Sequence, residues 1–258
     1  MMKAGLGTMA SLLAFDLREA FDSPLWVAYF WLFFAFQFAV YGSLMSRLVV
    51  SMDHYLFYYG TGLIVLLSFN VASWAGRRFV ESAHEGRLRY LLSLPLGRND
   101  LFFEQVVLGV VVNLSRVMPP LVFVLWASHL LTSGALLYSV LVLSLTAVGI
   151  IGLMVSLSVI AFRSFDMYSA IVAAASALLI RFSTLYYPVS SMTPAYGDVA
   201  SANPLSYGAD LFRAVIGLDV SPLLDPRVAL AVMLALCVGT VFMGTFFMSR
   251  MVEGVKSS

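Results

Sequence analysis

The side chains able to carry out chemistry are few in this sequence and widely spaced. Histidines occur at His54, His84 and His129, in no His-Glu-x-x-His pattern, and the one cysteine, Cys237, sits inside an apolar block. Metal or nucleophilic catalysis needs its groups gathered, with ligands a few residues apart or a nucleophile within reach of a base. No such grouping occurs, so neither an enzyme constellation nor a metal site is expected. A nucleotide cradle is not expected either. A phosphate loop needs Gly-Lys followed by Ser or Thr, because backbone amides and the lysine together surround the phosphates. The lysines are Lys3 and Lys256, and Lys256 follows Val255.

The elements that hold these residues follow from composition. Apolar residues make up 61% of the 258 residues, charged residues 11%, and the mean hydropathy is +0.92. A soluble domain carries about 25% charged residues, so there is too little charge here to cover a wet surface. The net charge of +1 gives no field that would attract nucleic acid. The apolar residues form blocks long enough to cross about 30 Å of hydrocarbon as helices. Six spans are predicted, at about 25–45, 57–75, 101–129, 135–162, 167–187 and 228–251. The third is interrupted by Pro119-Pro120. The fold class is thus all-α, one polytopic membrane domain over residues 1–258. The short stretch after Lys3 has two glycines and no convincing cleavage site before Asp16, so it does not read as a signal peptide. Residues 11–22 read instead as an amphipathic surface helix, with Leu12, Leu13, Leu17 and Ala20 on one face and Asp16, Arg18, Glu19 and Asp22 wet. The arginines of the loop after the second span, Arg163, Arg250, Lys3 and Arg18 fall on one side if the spans alternate. The positive-inside rule makes that side cytoplasmic, with both termini inside a plasma membrane.

Two connections exceed simple turns. The cytoplasmic one holds a short helix at 82–94, with Leu88, Leu91 and Leu92 in one stripe, Glu85 four residues before Arg89, and Pro95 and Gly97 as its stop. Ser82-x-x-Glu85 matches a capping box, unless the second span simply continues through it. The external one, at 187–227, is proline-rich and apolar, which suits short re-entrant or interfacial helices. The acids lie at span ends, Glu104 and Asp166 among them, while Arg116 and Arg181 lie deeper and cannot relay protons. Sodium held by backbone carbonyls keeps an ion-coupled secondary transporter open as the alternative reading. Arg116 lies about 24 Å along its helix counting from Asp100, in the outer half. There it would meet an anionic substrate, pair between subunits, form an internal ion pair or snorkel to headgroups.

These connections resemble those of the ABC-two permeases, the membrane subunits of type-two ABC exporters. Glu85-Gly86-Arg87-Leu88-Arg89-Tyr90-Leu91-Leu92-Ser93-Leu94-Pro95 is similar to the family's Glu-Gly-Thr-Leu-Glu-x-Leu-Leu-x-x-Pro, with Arg87 and Arg89 where the family tends to have Thr and Glu. Asn203-Pro204-Leu205-Ser206-Tyr207, then Asp210 and Arg213, resembles the segment before the last span, and Tyr187-Pro188-Val189-Ser190-Ser191 the one upstream. The resemblance implies an export permease that is not itself an enzyme. It works as a homodimer, or as a heterodimer with a related chain, above separate ABC ATPase subunits that hold ATP and Mg. It implies ATPase coupling through Glu85, Gly86, Arg87, Leu88, Arg89, Leu91, Leu92 and Pro95, with acidic residues in the partner's groove to match the arginines. It also implies a translocation path along the second and fifth spans, which Asn70, Ser73, Arg116, Ser176 and Ser183 suit. Pro188, Asn203, Pro204, Tyr207, Asp210 and Arg213 fall in the external segment that caps the exit.

Overall fold

A computed structural model of the chain describes residues 2–22, 24–48, 54–93, 97, 99–218, 222–223 and 225–256. Pro95 lies outside them, as does the side chain of Arg89. Helices account for nearly all of the described residues, and there is no strand among them. In chain order they are α1 (Met2–Phe21), α2 (Pro24–Phe36) continuing through a π-helical stretch into α3 (Ser43–Leu48), α4 (Tyr55–His84), α5 (Arg87–Ser93), α6 (Asp100–Ala127), α7 (Ser133–Ile160), α8 (Phe165–Ala175) with a π-helical end, α9 (Pro194–Ser201), α10 (Pro204–Ile216) and α11 (Pro226–Lys256). Five stretches are long and apolar enough to cross a bilayer: Pro24–Arg47, Tyr55–His84, Asp100–Ala127, Ser133–Ile160 and Pro226–Met251. The remaining segment, Phe165–Ile180, is apolar but shorter. The protein is an all-α, multi-pass membrane protein.

α4 is the central helix. It is buried on nearly all sides, against α6, α7, α8 and α10, whereas α2 and α11 lie at the periphery with many apolar side chains exposed. Because lipid is as apolar as leucine, helices in a bilayer associate through close packing, which small residues permit. Gly76 lies against Tyr168, where a Cβ would come within 2.1 Å of the phenolic oxygen. At Gly62 a Cβ would stand 2.0 Å from the Leu185 carbonyl oxygen, so no larger residue fits without moving backbone.

Sequence and structure differ first in α6, at the start of α5 and on α1. α6 is not interrupted at Pro119-Pro120; it runs straight through them. Pro120 has no N–H to offer the carbonyl four residues back, that of Arg116. The indole Nε1 of Trp31, on α2, donates to that carbonyl instead, at 3.2 Å. The α4 helix does continue through Ser82, whose Oγ donates to the Arg78 carbonyl (2.9 Å), so the connecting helix begins at Arg87 and no capping box forms. On α1, Asp16 is not wet but 1% exposed. It shares the inward face with Leu13, Leu17 and Ala20 at helical spacing, and arginines from α4 and α5 meet it there.

The register between α4 and α6 fixes depths. A Cβ on Gly109 would meet that of Ala75 at 3.5 Å, and one on Gly60 would meet Val124 at 3.3 Å. Antiparallel helices in that register place Arg116 level with Ser68, halfway along α4 rather than in its outer half. Counting from Asp100 overstated its depth because α6 begins level with His84, beyond the arginines of α4.

Candidate functional site

A furrow follows α8. Toward the end that carries α1 and α5 it is a cavity of about 340 Å³, lined by Asn70 and Ser73 of α4, Ser169 and Val172 of α8, and Trp26 and Phe30 of α2. Beyond Ala173, which borders both, it widens to about 710 Å³ between Ser176, Ala177, Arg181, Tyr186, Tyr187 and Tyr196. Small residues at Ala173, Ser176 and Ala177 leave this room, and α8 turns its one buried aromatic, Tyr168, toward α4, where its hydroxyl donates to the Ser73 carbonyl at 2.9 Å. The Ser73 and Ser176 hydroxyls donate back to their own helices, to Phe69 (3.0 Å) and Val172 (2.7 Å). They therefore present oxygen lone pairs, and the wall is weakly polar and uncharged at its centre. Of the five path residues named from sequence, Asn70, Ser73 and Ser176 border this furrow. Ser183 does not: it is buried, bonded to Ile180 and Leu185. Arg116 lines a separate cavity. Trp26, Tyr186, Tyr187 and Tyr196 were missed, since single aromatics in apolar stretches look the same whether they face lipid or a furrow.

Beneath the bundle a four-charge cluster joins three elements. Arg78 Nη2 of α4 contacts Asp16 Oδ1 (2.9 Å) and Glu19 Oε2 (2.8 Å) of α1. Arg87 of α5 contacts Glu19 Oε2 at 3.1 Å and also Asp16 Oδ1. Burial by itself would lower the Arg87 guanidinium, but Asp16 and then Glu19 outweigh it and hold it above its ordinary value. Leu88 and Leu91 of α5 are buried in the core, with Leu92 packed beside them, while Glu85 and Tyr90 stay exposed. Gly86 takes a positive φ of 79°, which lets the chain turn from α4 into α5 with no Cβ strain. Arg87 thus faces α1 and does not point away from the protein. Nothing in the spacing of Arg87 signals Asp16, 71 residues earlier.

At the opposite end, Arg213 of α10 ties the segment before α11 into the bundle. Its Nε donates to Thr61 Oγ1 (3.0 Å), Nη1 to the Thr184 carbonyl (2.9 Å) and Asp210 Oδ1 (3.1 Å), and Nη2 to the carbonyls of Tyr58 and Leu185 (3.2 Å each). The guanidinium carbon lies 3.5 Å from the Tyr58 ring centroid. Asp210 Oδ1 also accepts from Thr184 Oγ1, and Oδ2 from the Leu223 amide (2.9 Å each). Asn203 caps α10 through the Leu205 amide, while its Nδ2 donates to the carbonyls of Leu179 and Phe182 that end α8. Pro204 opens the helix at its first turn, Tyr207 donates to the Ser201 carbonyl, and Pro188 is buried. Asn203, Asp210 and Arg213 are therefore brought together around the backbone of 179–187.

The helices that form these three places fall largely within a stretch that matches a known family. The profile of the ABC-2 type transporter family matches residues 31–217, more than two-thirds of the 258. No curated protein matches the chain.

Proposed function

Because the chain belongs to the ABC-2 type transporter family, we propose that this permease is the membrane half of an ATP-driven exporter, coupled through α5 to separate ATPase subunits. The observation that carries the reading is the placement of α5. It is a short helix between two spans, held by a leucine stripe in the core and by two carboxylates of α1, with Glu85 and Tyr90 left exposed. A helix gripped at both its apolar and its charged face moves with the spans when pushed, which a free loop does not. ATP and Mg then belong to the partner, since a Gly-Lys-[Ser/Thr] sequence is missing from the chain. The purified permease alone is expected to show no ATPase activity, and co-expression with its ATPase to give a stable complex with vanadate-sensitive turnover. Transport by the permease alone, driven by an ion gradient, would refute this reading in favour of a secondary carrier.

The furrow along α8 is the translocation path in this proposal, with Asn70, Ser73 and Ser176 on its wall. α8 exposes its small, apolar face along the same furrow, so a second permease copy or a related chain closes the path there. Arg18, Arg77, Arg87 and Arg163 lie at one end of the bundle, which by the positive-inside rule faces the cytoplasm of the plasma membrane together with both termini. Asn203, Pro204, Tyr207, Asp210 and Arg213 then brace the exit. In intact cells a cysteine introduced at Ser201 is expected to react with an impermeant thiol reagent and one at Ser11 to resist it. Strong labelling at Ser11 would reverse the orientation.

A further inference from the structure

Among the described residues Arg116 is the one arginine at mid-depth of the bundle, and none of them pairs with it. It is 2% exposed, and its Nε and Nη1 are buried with no hydrogen-bond partner. Its guanidinium lies between two rings, 4.6 Å from the Phe30 centroid and 4.9 Å from that of Trp74. Ring faces attract a cation but accept no hydrogen bond in the guanidinium plane. One turn earlier on the same face of α6, Asn113 is fully buried with both amide atoms partnerless. Buried polar groups are almost always satisfied, and of these two residues Arg116 also lines a cavity, so its unpaired nitrogens mark a place for an occupant.

The place for that occupant is visible. Arg116 lines a cavity of about 260 Å³ with Trp26, Trp74, Arg78, Glu19 and Glu81. Arg78 and Glu19 are already engaged with each other, and Glu81 is exposed, so Arg116 is the free charge in the depth of the cavity. The volume is ample for a small charged head group. Beside the cavity, the start of α2 exposes Leu25 and Trp26, 80% and 58%, an apolar track along which a chain attached to that group could lie. We propose that this cavity is a binding site for an oxyanion, a phosphate or carboxylate head carried by a membrane amphiphile, which pairs with the fork of Arg116. Guanidinium presents its N–H groups in the planar geometry that such heads accept two at a time. The cavity adjoins the furrow through Trp26 and Trp74, which border both. Measuring binding there requires neither transport nor the ATPase.

The test uses the full-length protein in detergent and follows tryptophan fluorescence, because Trp26 and Trp74 line the cavity. The probes are dioctanoyl phosphatidic acid, inorganic phosphate and, as the uncharged control, dioctanoylglycerol. Phosphatidic acid is expected to give a saturable change, with affinity lowered at least tenfold in Arg116→Gln and unaltered in Arg250→Gln, whose arginine is exposed on α11 and lines neither the cavity nor the furrow. Should Arg116→Gln fail to fold, Arg116→Lys keeps the charge and loses the fork, and a several-fold weakening is expected. A saturable response to inorganic phosphate of equal affinity, likewise lost in Arg116→Gln, would support the oxyanion site and assign its ligand to a free anion. Equal responses to dioctanoylglycerol and phosphatidic acid, or equal affinity in the wild type and every Arg116 variant, would overturn the proposal and leave Arg116 solvated by buried water alone.

Discussion

Arg213→Ala is expected to prevent the bundle from closing at the end that carries α9 and α10. The side chain touches five acceptors on three separate pieces of chain: Tyr58 and Thr61 of α4, Thr184 and Leu185 after α8, and Asp210 on its own helix. Single hydrogen bonds between helices in membranes average only about 0.6 kcal/mol, so their sum is not the deciding term. Asp210 decides it. Its carboxylate is 8% exposed, and removing the guanidinium leaves it without its ion-pair partner, a cost of about 3–5 kcal/mol. The carbonyl of Leu185 loses its donor as well, for about 1–3 kcal/mol, whereas that of Thr184 keeps the Tyr58 hydroxyl at 2.6 Å. A loss of this size exceeds what most single substitutions cause. It should appear as a collapse of the monodisperse peak after mild heating, together with faster thiol labelling of a cysteine introduced at Ser183. Arg213→Lys keeps the charge but cannot span acceptors on three segments, so it should fall between. An Arg213→Ala protein with the thermal stability of its parent would show that the network is ornamental.

How far the sequence revealed this end of the molecule depends on distance along the chain. Asn203-Pro204 reads as a helix start because capping is local: the cap and the amide it serves are two residues apart. The apolar, proline-rich composition of 187–227 likewise signals buried short helices. The partners of Arg213 are another matter, since Tyr58 lies 155 residues away and the bond is to its backbone, which leaves no side-chain signature. The same division holds elsewhere. Blocks of apolar residues show the spans, but Pro119-Pro120 reads as a break because the Trp31 indole that replaces the lost hydrogen bond sits on another helix. Asp16 reads as wet because a carboxylate grouped with Arg18, Glu19 and Asp22 ordinarily is; the two arginines that permit its burial come from α4 and α5. Of the proposed path, Asn70, Ser73 and Ser176 were legible as polar groups on the right spans. Ser183 was not separable from them, because which way a serine faces after a helix ends depends on the turn that follows.

The second large effect is expected at the other end. Arg87→Glu sets a carboxylate against Asp16 and Glu19, so α5 should detach from α1 while the spans, and membrane insertion, are untouched. The size lies between two limits. Exposed ion pairs contribute about 0–1 kcal/mol, and breaking a buried one costs about 3–5 kcal/mol. Here Asp16 is 1% exposed, Arg87 24% and Glu19 52% at their side chains, which places the loss at about 1–3 kcal/mol, roughly a five- to 150-fold change. In a complex with the ATPase the readout is vanadate-sensitive turnover and transport, both of which should fall by that factor. Because Arg87 faces α1, the fall should come from a loosened α5 and not from a lost contact with the partner. Adding Glu19→Arg restores attraction between positions 19 and 87 but leaves a carboxylate against Asp16 and sets a second guanidinium beside Arg78, so the double variant should recover only part of the coupling. If Arg87→Glu abolishes ATPase capture and Glu19→Arg restores nothing, Arg87 instead meets the partner directly. Unchanged turnover and transport in the single variant would remove the cluster from the coupling route altogether.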